Sequence, residues 1–163
     1  MIVAAAVLEM LLLGVTASTT PQASSPRLDL KTSTQRIAAL TNSSGVLAGA
    51  YETRGRVVGF VRSAEGKLVV FSRPDWTFTS VESLNEKGAA AGAFSTEAEP
   101  RRLHGYIRSG DGAIATFDVP GSTSTVPEQI QDNGEITGYY LQRDGAKRLF
   151  RRTADGSIVT LGF

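Results

Sequence analysis

The stretch Gly59-Phe60-Val61-Arg62-Ser63 returns as Gly105-Tyr106-Ile107-Arg108-Ser109 and, more loosely, as Leu149-Phe150-Arg151-Arg152-Thr153. The spacings are 46 and 44 residues. Glycines keep the same step downstream at 66, 112 and 156. Upstream they recur at 45, 88 and 134 and again at 49, 92 and 138, with spacings of 43 and 46. An aromatic follows two places after the last set, at Tyr51, Phe94 and Tyr140. Agreement at this many positions with one drifting period marks an internal repeat. The units run over 32–76, 77–122 and 123–163.

Each unit reads as four short strands. The first is IAAL (37–40), SVESL (80–84) or PEQIQ (127–131). A tight turn follows at Ser44-Gly45, Lys87-Gly88 or Asn133-Gly134, where the glycine accepts positive φ; Asn-Gly between apolar runs is the strongest hairpin signal of the three. The second strand is VLAGAY, AAAGAF or EITGYY. A loop of changing length comes next, 52–55, 95–101 and 141–146. The third strand is RVVGFVRS, RLHGYIRS or KRLFRRT, and a second tight turn at Gly66, Gly112 or Gly156 leads into KLVVFSR, AIATFDV or SIVTLGF. No long stretch of 32–163 carries a 3.6-residue apolar period, so this part of the chain is expected to be all-β.

Two turns and one loop per unit make a four-stranded antiparallel meander. Joins at Ser72–Ser80 and Asp118–Thr125 are long enough to carry the chain from the outer edge of one sheet to the inner edge of the next. Small residues fill strand two (Ala48, Gly49, Ala50; Ala90 to Ala93), which lets sheets approach closely. These features predict propeller-blade-like units in a partial or open propeller. Closed propellers have about four to eight blades. Three units therefore predict a fragment of a longer propeller, a ring shared by two chains through exposed blade faces, or a β-trefoil as the alternative fold.

Composition narrows function by exclusion. The 163 residues are 41% hydrophobic and 20% charged with a net charge of +1, which gives no reason to expect nucleic acid. No cysteine means no disulfide, thiol chemistry or cysteine metal site, and a single histidine, His104, excludes a multi-histidine one. No cofactor is expected. Residues 1–17, MIVAAAVLEMLLLGVTA, are apolar and shorter than a bilayer span, with small residues Val15 and Ala17 before a polar linker over 18–31. They read as an export signal, which predicts a secreted or periplasmic protein without a membrane span. Glu9 inside the run and the lack of any Lys or Arg before Arg27 leave two other readings, a degraded gene start or an apolar helix that docks on the domain.

The motifs resemble the bacterial HAF extracellular repeats. Asp132-Asn133-Gly134-Glu135-Ile136-Thr137-Gly138-Tyr139-Tyr140 is similar to that family's strand pair. His104-Gly105-Tyr106-Ile107-Arg108 with Asp111-Gly112 is similar to its second motif, and Thr116-Phe117-Asp118-Val119-Pro120-Gly121 to its third. Unit 1 has Ser43-Ser44-Gly45 and Phe71-Ser72-Arg73-Pro74 at these places, and unit 3 lacks the His-Gly. The resemblance covers about 32–163. It implies a propeller-like repeat fold and an exported location, and it brings no catalytic residues.

His104 is the one candidate base. A triad would need a serine in reach, and no Gly-x-Ser-x-Gly elbow exists. A hydrolase reading rests on Asp118 or Glu128 lying beside His104. Arg62, Arg108 and Arg152 recur in register, which predicts a structural role through a turn carboxylate or a carbonyl of the next unit. Asp-Gly pairs at 111, 144 and 155 offer one acid each, which suits turns better than calcium. Residues 143–152 hold Arg143, Lys147, Arg148, Arg151 and Arg152 against Asp144. With Tyr140 and His104, Arg143 and Arg148 form the candidate ligand set, for a glycan or an anionic surface. The expected activity is binding or scaffolding without catalysis, with a trefoil-like lectin as the alternative.

Overall fold

A computed structural model describes residues 38–161; the expected export signal and linker, 1–31, lie outside them. The described chain is all-β, built as three antiparallel sheets in chain order. Sheet 1 is a meander of β1 (Ala38–Thr41), β2 (Leu47–Thr53), β3 (Arg56–Arg62) and β4 (Leu68–Phe71). In sheet 2 the first strand is interrupted into β5 (Trp76–Thr79) and β6 (Ser83–Leu84), and both pair with β7 (Ala90–Thr96). Then come β8 (His104–Arg108) and β9 (Ile114–Phe117). Sheet 3 is β10 (Ser124–Ile130), β11 (Ile136–Leu141), β12 (Lys147–Arg152) and β13 (Ile158–Leu161). None of the sheets closes into a barrel, so the arrangement is open and propeller-like and the trefoil alternative does not hold.

One expectation needs correction. The first strands of units 2 and 3 begin earlier than the sequence reading places them, at Trp76 and Ser124, so the joins shrink to 72–75 and 118–123. Tertiary packing decides this. Trp76 is 1% exposed and stacks on Phe94 at 3.9 Å between ring centroids. Burial of that ring outweighs the local turn signal of Pro74 and Asp75.

Each sheet turns one face forward, toward the next sheet, and one face to the rear. Register puts Ala48, Gly59, Val61 and Phe71 on the forward face of sheet 1. They pack on Ala90, Phe94 and Tyr106 of sheet 2, with Trp76 and Val81 in the same core. Ala91, Ile107 and Phe117 on the forward face of sheet 2 meet Ile130, Ile136, Tyr140 and Phe150 of sheet 3. Both seams use one device. A strand-four phenylalanine lies over a strand-three glycine of its own sheet, Phe71 on Gly59 and Phe117 on Gly105. The next sheet sets an aromatic edge against that ring, Tyr106 at 5.8 Å and Phe150 at 6.0 Å. It also sets a guanidinium over it, Arg108 at 5.5 Å and Arg152 at 4.9 Å. Arg108 and Arg152 are therefore structural, through a ring of the preceding sheet and the carbonyl of the residue that follows each, instead of a turn carboxylate or a carbonyl of the next unit; Arg62 has no such ring among the described residues. Such a contact contributes about 0.5–2 kcal/mol according to how far it is desolvated.

At the tight-turn end a second device crosses the seams. Asn42 caps its own turn by accepting from Val46 N, and its Nδ2 donates to Asn85 O at 2.9 Å. Asn85 likewise accepts from Ala89 N and donates to Gln131 O at 3.0 Å. Beside this amide ladder runs an acidic one. Glu86 accepts from the N–H and hydroxyl of Ser43, and Asp132 accepts from Glu86 N.

Two outcomes follow. A Cβ on Gly138 would lie 2.2 Å from Val126 O and 2.8 Å from Pro127 Cα, backbone atoms that cannot rotate away. Gly138→Ala should cost about 1–3 kcal/mol, read as a lower denaturant midpoint with unchanged slope. The Ser43 hydrogen bonds hold the Glu86 carboxyl below its ordinary range. The stability this gives is present above the unfolded pKa and is lost as pH falls through the lower folded one. Glu86→Gln should therefore flatten the fall in melting temperature below about pH 4.

Candidate functional site

Antiparallel meanders alternate their connections between two ends. The tight turns and both ladders occupy one end. The other carries the Arg54-Gly55 turn, the loops 97–103 and 142–146, and the joins 72–75 and 118–123. In sheet 1 this rim is only a two-residue turn with φ of 49° and 73°. In sheets 2 and 3 the loops lengthen, and between them opens a groove lined by Glu99, Pro100, Arg101, Arg102, Ser122, Thr123 and Arg143.

Behind the groove sits a polar clamp. His104 opens β8 and pairs with Phe94, whose ring stacks on the imidazole at 5.1 Å. Nδ1 of His104 lies 2.8 Å from Asp118 Oδ2, and Nε2 lies 3.1 Å from Glu99 Oε2. Arg102 reaches the same two carboxylates, 3.2 Å from Asp118 Oδ2 and 3.2 Å from Glu99 Oε1. Two cationic-type groups and two acids thus tie the loop 97–103 to the end of β9. The loop is further held by Thr96 Oγ1, which accepts from Glu99 N, and by Ser124 Oγ, which accepts from Leu103 N.

His104 and Asp118 do stand within hydrogen-bond reach, as the hydrolase reading requires. The second ring nitrogen, however, faces the Glu99 carboxylate, where a triad would place a serine hydroxyl. Glu128 lies elsewhere, 3.9 Å from Lys147 Nζ. The Asp-Gly turns are what their spacing implies. Asp111, Asp144 and Asp155 each accept from the N–H two residues on. Hydroxyls of Ser109 and Thr153 hold the Asp111 and Asp155 carboxyls below the usual range. Among the described residues no group of acids and histidine is placed to hold a metal ion, and no helix is long and apolar enough to cross a membrane.

The four candidate ligand residues separate. Arg143 lines the groove and is exposed. His104 sits in the clamp behind it, its side chain 14% exposed. Arg148 is half-buried on the same face of sheet 3 as Tyr140, its register partner, with its Nε 3.4 Å from Gln142 Oε1. Tyr140 is 8% exposed in the core between sheets 2 and 3, so its ring offers no face to a sugar. Tyr139, on the opposite face, is covered by Lys147 Nζ at 3.7 Å from its centroid. Reading the sequence alone missed Arg101, Arg102 and Glu99 as a unit. The signal available was the loop itself, the longest of the three and the one holding two adjacent arginines. No protein-family model matches the chain, and neither does any curated protein.

Asp118→Asn removes the negative partner of both His104 and Arg102. Asp118 and Arg102 are 30% and 36% exposed, and Glu99 remains beside both cationic partners, so screening limits the loss to about 1–2 kcal/mol. The loop should loosen as well, and trypsin should cut after Arg101 or Arg102 faster than in the unaltered protein.

Proposed function

We propose that the chain is a non-catalytic, exported repeat module whose loop rim binds an anionic glycan. The observation that carries this reading is the pair Arg101 and Arg143. Both are exposed, both line the groove between sheets 2 and 3, and neither makes an ion pair among the described residues. Their neighbour Arg102 is already paired with Glu99 and Asp118, so the unpaired cations at the groove are these two. Thr123 adds an exposed rim position between them. Two guanidinium forks facing one cleft suit carboxylate or sulfate groups spaced along a chain of sugars.

The clamp supports a binding role over a catalytic one. His104 is held at Nδ1 by Asp118, while Arg102 bridges Asp118 and Glu99, which fixes the loop that carries Arg101. Export is supported by the apolar run 1–17 with its small residues at 15 and 17, and by the resemblance of the repeat motifs to extracellular HAF units. A scaffold reading without a ligand would need no unpaired cations at the rim.

The test is retention on a sulfated polysaccharide such as heparin, with a uronate polymer as second probe. Arg101→Ala with Arg143→Ala should elute at clearly lower salt than the parent, with unchanged thermal stability. Arg62→Ala, which removes one positive charge on the tight-turn side, should elute nearer the parent. Equal elution of parent and the rim double variant would refute the groove as the binding site. Salt should weaken binding throughout, because exposed charges are screened within about 8 Å at physiological ionic strength.

A further inference from the structure

We infer that the forward face of the third sheet is a built end to the stack: it is made to meet water and does not receive another sheet of the same kind, a second copy of the chain included. The argument is one of register. On β3 and β8 the forward face reads Val57, Gly59, Val61 and Leu103, Gly105, Ile107; on β12 it reads Lys147, Leu149, Arg151. On β2 and β7 it carries Ala48, Ala50 and Ala91, Ala93; on β11 it carries Thr137 and Tyr139. The platform on strand four changes too, from Phe71 and Phe117 to Leu161.

Each change removes one requirement of the seam. Phe71 and Phe117 lie flat because the strand-three partner is glycine; a Cβ there would stand 2.3 Å or 3.0 Å from the ring. Leu149 fills that space and Leu161 has no ring, so an incoming arginine finds no platform. Alanines let a following sheet approach; Tyr139 stands in its path. Lys147 is 3.9 Å from Glu128, and Arg151 is 3.7 Å from Glu135. Covering these pairs with an apolar sheet would strip their water without better partners, a cost that buried ion pairs rarely recover. The apolar residues of this face, Leu149, Val159 and Leu161, are 36%, 47% and 42% exposed and stand among these charged pairs.

The tight-turn end gives an independent sign. Asn42 and Asn85 each send an amide across a seam to the next sheet. The third sheet has Gln131 at that place. Its carbonyl accepts from Asn85, while its side chain makes no hydrogen bond among the described residues. The ladder therefore finishes where the face changes character. Stacked repeats need a terminal unit with a polar outer surface, and the third unit has that composition. On this inference, self-association through exposed blade faces would not use the forward face of sheet 3.

Sedimentation of the full chain across a range of concentrations tests the inference. Val159→Lys should leave the weight-average mass unchanged at every concentration, because the face is already solvent-facing. Lys147→Val with Arg151→Val should restore an apolar face, so that mass rises with concentration above that of the parent and bound hydrophobic dye increases several-fold. Circular dichroism reports whether this double variant folds, and Arg151→Val alone serves if it does not. Parent chains that associate and are separated by Val159→Lys would overturn the inference. So would a folded Lys147→Val, Arg151→Val variant that associates no more than the parent.

Discussion

A phenylalanine ring resting on the backbone of its own sheet is the contact on which the architecture depends. Gly59 and Gly105 leave strand three bare at one point, and Phe71 and Phe117 lie down over it. The ring then becomes part of a flat surface, presenting one face to the following sheet. An aromatic edge and a guanidinium from that sheet complete the seam. The guanidinium is held in place locally as well. Arg108 and Arg152 each donate to the carbonyl of the next residue and pack against the glycine of the turn that follows. Burial disfavours the charged form of both, and the ring faces offset part of that cost. One substitution at the glycine would lift the ring and unseat both partners at once.

Sheets held only by such rings would be free to slide, since dispersion is non-directional. The amide and acid ladders at the tight-turn end remove that freedom. Each asparagine uses its oxygen to cap its own turn and its nitrogen to fix the spacing to the next turn. Because the donors are short side chains, the turns of successive sheets are held at hydrogen-bond distance. At the opposite end sheets 2 and 3 are joined through Leu103, whose N–H donates to Ser124 Oγ and whose carbonyl accepts from Thr125 N. Beside that tie the loops lengthen at the rim. That is where a cleft between sheets can form, and the groove lined by Arg101 and Arg143 lies there.

The repeat, the second to fourth strands and the tight turns were legible because glycine, aromatic and arginine positions recur where backbone geometry demands them. The first strands were not, because their evidence is non-local. Trp76-Thr77-Phe78-Thr79 follows Pro74 and reads as a join until Phe94 supplies a stacking partner. In β10 the ladder shifts register between Pro127 and Gln129, so no clean alternation marks its start. Tyr140 looked like a ligand residue because it neighbours Arg143 in sequence. Period two puts Tyr139 and Tyr140 on opposite faces, and only the stacking order says that the Tyr140 face is the covered one. The clamp of His104, Asp118, Arg102 and Glu99 joins a loop to the end of another strand, a proximity that no local pattern records.

The same alternation explains how one repeat serves in three roles. A strand in this fold has a rear face, a forward face and two ends, and each can change without the others. The third unit keeps its rear face, with Phe150 and Arg152 where Tyr106 and Arg108 stand, and so docks on the second sheet as the second docks on the first. Its forward face has exchanged small apolar residues for Lys147, Arg151 and Tyr139. Its loop end contributes Arg143 to the groove. On the proposed reading, docking, termination and recognition fall on separate surfaces of one module, and a change at the rim need not disturb the seam. The proposed binding role would place specificity on the loops 97–103 and 142–146, whose lengths the sheets do not dictate, with the aromatic seam holding the sheets that carry them.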